Sequence, residues 1–158
     1  MTADSIPTFQ TVTLPGGHAL RFIQRGPGAG YALIEWTSPP AIPGPPVHVH
    51  RVTDEGFYVA EGSFGFLCGE QTVHGAGGDY VFVPHGQAHT FWNDGAAPGK
   101  LLIVISPAGF EPYFEELSAG LAAAAADPNA AMIVRQALSV KYDIEVIGPP
   151  RQGPGNGQ

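Results

Sequence analysis

The sequence predicts an all-β domain, a sandwich or barrel, followed by two α-helices. Three observations carry the prediction. Between Thr8 and Ser106, short β-like runs recur at roughly ten-residue spacing with Gly or Pro between them. Glycine and proline are abundant, at 22 and 16 residues, which suits many short strands joined by tight turns. After Pro107 the apolar period changes to that of a helix. At 158 residues the chain can bury one substantial core and is too short for two ordinary domains, so residues 1–148 are expected to form a single domain.

Each element has its own signal. Thr8–Leu14 and His18–Gln24 flank Pro15-Gly16-Gly17, a hairpin pattern. Tyr31–Ser38 alternates as a strand, with Ala32, Ile34 and Trp36 on one face. Pro39–Pro46 is a proline-rich connector, which must be extended and non-helical. Phe57–Ala60 and Phe64–Cys68 lie either side of Glu61-Gly62-Ser63, and Gln71–His74, Tyr80–Pro84, His89–Asn93 and Leu101–Ser106 follow. Phe110, Tyr113, Phe114, Leu117 and Leu121 then form a helical stripe with Pro112 near its start, continued by Ala122–Ala126. Asp127-Pro128 has the pattern of an N-cap and first-turn proline for a second helix through about Lys141. Ile144–Ile147 adds a strand-like piece, and Pro149–Gln158 is expected to be a disordered tail. The two helices are expected to pack on the barrel or on a second subunit, with a lid over its mouth as the alternative.

Composition excludes several partner classes. A formal net charge of -7 argues against a nucleic-acid phosphate surface and against acidic membranes. Neither an apolar run of spanning length nor a leader-like Met1–Gln10 is visible. Lone Cys68 has no internal disulfide partner, fits a reducing cytosol, and is expected to be an inert buried thiol. These features together lead to a cytoplasmic expectation. Exposed strand edges need covering, and a homodimer is the default solution.

The chemistry concentrates between Gly44 and Asn93. His48 and His50 are two apart, so on a strand both side chains leave the same face. Glu55 follows a turn-like interruption and opens a new apolar run, and His89 follows the turn signal Pro84–Gly86. Three imidazoles and one carboxylate are what a first-row metal wants, so His48, His50, Glu55 and His89 are expected to converge on one ion. His18 and His74 are expected to be solvated, His85 is a candidate for the pocket mouth, and Asn93 is expected to anchor its strand by hydrogen bonds. Ile34, Trp36, Phe57, Phe66, Phe82 and Phe91 are candidate pocket walls, with plain core as the alternative reading.

These two halves resemble the paired motifs of the cupin superfamily, G-x5-H-x-H-x4-E-x6-G and G-x5-P-x-G-x2-H-x3-N. Gly44, His48, His50, Glu55 and Gly62 fill the first, and Gly78, Pro84, Gly86, His89 and Asn93 the second. The departure is at Gly44, which has three residues between it and His48 rather than five, so the motif's first glycine is not carried over. The resemblance implies a cupin-type double-stranded β-helix, a jelly-roll barrel with its metal-binding core at about 31–107. Within the superfamily, His48–Gly62 is similar to single-domain quercetin-dioxygenase-like proteins. That similarity implies a divalent metal (Fe, Mn, Ni or Co, with Zn possible as isolated) and a chelated flavonol-, diketone- or catechol-like small molecule. It further implies Glu55 as catalytic proton acceptor and dioxygen as co-substrate. A non-redox isomerase, cyclase or decarboxylase of secondary metabolism, and a non-catalytic small-molecule-binding module, are the alternatives, because one fold hosts many chemistries.

Overall fold

The computed structural model describes residues 9–153. Thr8 and residues 154–158 of the expected tail lie outside them. Strands β1 (Thr11–Thr13), β2 (Ala19–Gln24) and β3 (Ala32–Ser38) open the fold. The connector then leads into β4 (Pro46–His50) and β5 (Asp54–Glu61), followed by β6 (Ser63–Cys68) and β7 (Gln71–Ala76). The last three barrel strands are β8 (Tyr80–Val83), β9 (His89–Asn93) and β10 (Gly99–Ser106). Helices α1 (Pro112–Ala123) and α2 (Pro128–Lys141) follow, and β11 (Ile144–Pro150) returns to the barrel.

Two antiparallel sheets result, one ordered β1-β2-β3-β10-β5-β8 and the other β11-β4-β9-β6-β7. This is the sandwich that the strand spacing suggests, in the jelly-roll form that the resemblance implies. In β3 the alternation is complete, with Ala32, Ile34, Trp36 and Ser38 buried and their neighbours half-buried. Residues Leu20, Phe57, Val59, Phe64, Phe66, Leu101 and Ile105 meet them between the sheets. Each such side chain contributes about 1.5–3 kcal/mol by leaving water. Gly62 makes the β5–β6 turn at φ 80°, a backbone region that glycine enters without steric cost.

The second helix starts where its cap signal says. Asp127 accepts hydrogen bonds from Asn129 N and Ala130 N at 2.9 and 3.4 Å, satisfying two amides that the helix leaves unpaired. The alanine run, by contrast, does not carry α1 through Ala126. The helix stops at Ala123, and Ala125 and Ala126 take positive φ. Pro128 forces the residue before it out of the helical region, and Asp127 is extended, so the chain must reverse before it. Both helices pack on the barrel, burying Phe114, Leu117 and Leu138 against its core.

The expected tail is a second correction. Pro149 and Pro150 belong to β11, which pairs with β4 and sets Ile144 opposite His50 and Val146 opposite His48. Beyond it, Arg151 O accepts from Gly44 N at 3.0 Å, and Gln152 Nε2 donates to Ala41 O at 2.6 Å. Residues 150–152 thus pair along the proline-rich connector, a partner that composition alone does not reveal. Among the described residues, no helix is long and apolar enough to cross a membrane.

Candidate metal centre

Three of the four expected ligands come from one sheet. His48 and His50 lie on β4, and β9 pairs with it so that His89 stands opposite His48. The fourth comes from the facing sheet, where Glu55 points inward from β5 beside Phe57. The potential ligand atoms of all four side chains lie within 4.8 Å of one another. His48 Nε2 is 3.2 Å from His50 Nε2, and Glu55 Oε2 is 2.8 Å from His89 Nε2 and 3.6 Å from His50 Nε2.

The backbone fixes the tautomers. His48 Nδ1 donates to Pro46 O at 2.7 Å and His89 Nδ1 to Gln87 O at 3.0 Å. Each bond directs that ring's Nε2 towards the others, the outer-shell support that metal-binding imidazoles use. Further bonds hold the ligand strands: Gly86 N to His50 O at 2.7 Å, and Thr90 Oγ1 to Pro45 O at 2.6 Å.

Charge is balanced accordingly. Burial alone would raise the Glu55 pKa, but the His50 charge and the His89 hydrogen bond overcome it and lower it to about 2. For His89, burial pulls downward and the Glu55 carboxylate pulls harder upward, so the net shift is up. Burial, together with the neighbouring His89 and His50, pushes His48 down to about 3, and burial also lowers His50. The cluster therefore pairs one buried carboxylate with one shared positive charge. A proton on His89 or a bound cation can supply that charge.

The donor set fits a cation. Ligand atoms about 2.1 Å from a common ion and at right angles to one another are about 3 Å apart, close to the separations found here. Two imidazole nitrogens 3.2 Å apart repel unless a proton or cation lies between them, and His50 Nδ1 is buried with no hydrogen-bond partner. His48, His50, Glu55 and His89 could therefore hold a metal ion through three Nε2 atoms and one carboxylate oxygen.

The cluster opens into a cavity of about 950 Å³. Its walls are mostly apolar: Trp36 and Phe91 from the barrel, and Phe110, Tyr113, Phe114 and Leu117 from α1 and its approach. The Phe110 ring meets His50 edge to face at 4.5 Å. The face of α2 carrying Met132, Arg135, Gln136, Ser139 and Val140 completes the wall.

Of the candidate pocket residues, Trp36 and Phe91 line this space. Ile34, Phe57 and Phe66 are fully buried core beneath it, with the Phe57 ring 6.1 Å from that of His89. Phe82 is corrected outright. It is 55% exposed, because β8 turns Val81 and Val83 inward and Phe82 out. His18 is also corrected: it is buried and lines the cavity, donating from Nε2 to Pro43 O at 3.0 Å and accepting at Nδ1 from Trp36 Nε1 at 3.3 Å. His85 lies outside the cavity on Asp54, and His74 is exposed and paired with Asp94. Asn93 anchors the turn after β9, donating to Ser38 O and Ala97 O at 2.9 and 2.8 Å. The α1 residues were visible as a stripe, but periodicity does not say that the stripe faces the metal cluster.

Comparison with known proteins agrees with this architecture. Residues 35–105 match the family model described as Cupin domain. An RmlC-like cupin from Shewanella frigidimarina NCIMB 400 superposes at TM-score 0.56 and 23% identity, covering 63% of this chain and 85% of that one. KdgF from Halomonas sp. does so at 0.56 and 20%, covering 65% and 88%. A sugar phosphate isomerase of a cupin superfamily from Silicibacter pomeroyi DSS-3 does so at 0.53 and 21%, covering 63% and 71%. At these identities the likeness establishes the fold, a cupin double-stranded β-helix. No curated protein sequence matches the chain.

Proposed function

We propose that this cupin is a metal-dependent oxidoreductase, a dioxygenase acting on an apolar flavonol-, diketone- or catechol-like molecule. One observation supports the reading above others: the His48, His50, Glu55 and His89 cluster opens into an aromatic cavity. A sugar phosphate would bring a dianion and several hydroxyls to walls that offer one cation, Arg135. An apolar, planar substrate instead suits the wall that Trp36, Phe91, Phe110 and Phe114 form together, which presents aromatic carbon and little that holds water.

A divalent Fe, Mn, Ni or Co ion at the four ligands supplies Lewis acidity and redox capacity towards dioxygen, and Zn can load the same donor set. The chain's own part in the chemistry is Glu55. Its carboxylate, held well below the usual carboxylate range by the neighbouring imidazoles, would accept the proton of a chelated hydroxyl on leaving the ion. His48 and His89, locked by Pro46 O and Gln87 O, keep the opposing nitrogens in place while that proton moves.

The test is oxygen uptake by metal-reconstituted protein with flavonols, β-diketones and catechols, comparing wild type with Glu55→Gln. Uptake by wild type is expected to fall by about 10²–10⁴ in the variant, with substrate binding retained. Turnover persisting under strict anaerobiosis would make the enzyme a non-redox isomerase, cyclase or decarboxylase. Binding without any turnover would make it a binding module.

A further inference from the structure

The cavity is apolar on nearly every side, yet one end of it carries a cation that the protein itself does not use. Arg21, Arg25, Arg51, Lys100 and Lys141 each hold a carboxylate: Glu35, Glu115, Asp143 and Glu145, Glu61, and Glu116. Among the described residues, Arg135 and Arg151 form no such pair, and of these only Arg135 lines the cavity. Its placement follows from the helix. Met132, Arg135, Gln136, Ser139 and Val140 recur at three- and four-residue steps, so one face of α2 borders the open side of the cavity, with Arg135 exposed in its middle. Tyr113, on α1, lines the same cavity. Among the described residues, neither group has a hydrogen-bond partner in the protein.

A guanidinium and a phenol that line one cavity can share a carboxylate, the fork donating two N–H bonds and the phenol a third. The rest of the molecule limits how much negative charge can enter. The chain carries a net charge of -7, and the cavity also contains Glu55 and Glu145. One compensating cation suits a monoanion. Resting on the metal-chelation reading above, we infer that the substrate is an amphipathic monocarboxylate. Its aromatic or aliphatic body fills the cavity and its carboxylate is taken by Arg135 and Tyr113 at the α2 wall.

The experiment measures dissociation constants by calorimetry for two matched probe pairs, on wild type, Arg135→Gln and Arg135→Lys. The first pair is 3-phenylpropanoate and 3-phenylpropanamide, which lack chelating oxygens, titrated into metal-free protein. The second is 3,4-dihydroxyphenylacetate and neutral 4-methylcatechol, titrated into metal-free protein and into protein loaded with Mn. Wild type is expected to prefer the carboxylate of the first pair by about tenfold, the strength of a charge-assisted contact. Arg135→Gln should abolish that preference and leave amide binding unchanged. Arg135→Lys should keep part of it, because a point charge replaces the fork. No preference in wild type, or a preference surviving in Arg135→Gln, would overturn the inference. The catechols test the underlying reading separately: if neither binds more tightly with metal than without, chelation fails, while the carboxylate preference stands or falls on the first pair. Metal content measured on each variant should match wild type, since Arg135 is not among the ligands.

Discussion

At the scale of single residues, His18 shows how burial converts an ordinary side chain into a structural one. It sits beside Pro15-Gly16-Gly17, where a solvated imidazole is the natural expectation, but the turn folds it under the connector. Its ring joins Trp36 to Pro43 and so braces a cavity wall against the segment leading to the ligand strand. Burial lowers its pKa from 6.5, partly opposed by the Pro43 hydrogen bond. The folded protein thus keeps His18 neutral where the unfolded chain takes up a proton. Its contribution is complete above about pH 6.5 and is lost as pH falls towards the lowered folded value. Melting curves from pH 7.5 to 5.5 should therefore fall more steeply for wild type than for His18→Gln, whose absolute stability is lower throughout. Parallel curves for the two proteins would remove this role from His18.

At the scale of elements, the connector Pro39–Pro46 governs where β4 begins. Gly44 passes so close to β9 that a Cβ there would lie 1.6 Å from Phe91 O. The Gly44→Ala chain must therefore lift away, breaking the Thr90 to Pro45 bond and displacing His48, four residues on. A loss of about 1–3 kcal/mol is expected from the overpacking. Metal affinity should weaken by at least about tenfold, as when outer-shell support is removed. Gly28→Ala, whose Cβ meets nothing within 4 Å, is the control, and equal stability and metal affinity in the two variants would refute the account. The glycine at position 44 thus has a local cause in backbone contact. The sequence made the strands, the second helix and the four clustered side chains legible because period, caps and two-residue spacing are local signals. It did not reveal that Phe82 faces outward, that Phe110 closes on His50, or that 150–152 run along the connector. Those depend on which sheet edge or cavity wall each segment meets, and no local pattern encodes that.

At the scale of the whole molecule, the cluster joins the two sheets. His48, His50 and His89 belong to the five-stranded sheet and Glu55 to the six-stranded one. An ion held by all four would tie the sheets across the core, and the unfolded chain has no such preformed site. Binding to the folded state alone stabilises it by RT ln(1 + [L]/Kd), about 2.7 kcal/mol when free metal stands about a hundredfold above its dissociation constant. For a domain of this length, that amounts to roughly 5–11 °C in melting temperature. Chelator-treated wild type should melt lower by about that amount and recover when Mn or Zn is restored. Glu55→Ala retains three imidazoles on one sheet, so its metal affinity falls and its metal-induced shift should shrink to a small part of the wild-type value. Scanning calorimetry of both proteins, with and without metal, measures the difference. An undiminished shift in Glu55→Ala would mean that the histidines bind alone and that the six-stranded sheet contributes nothing to the grip.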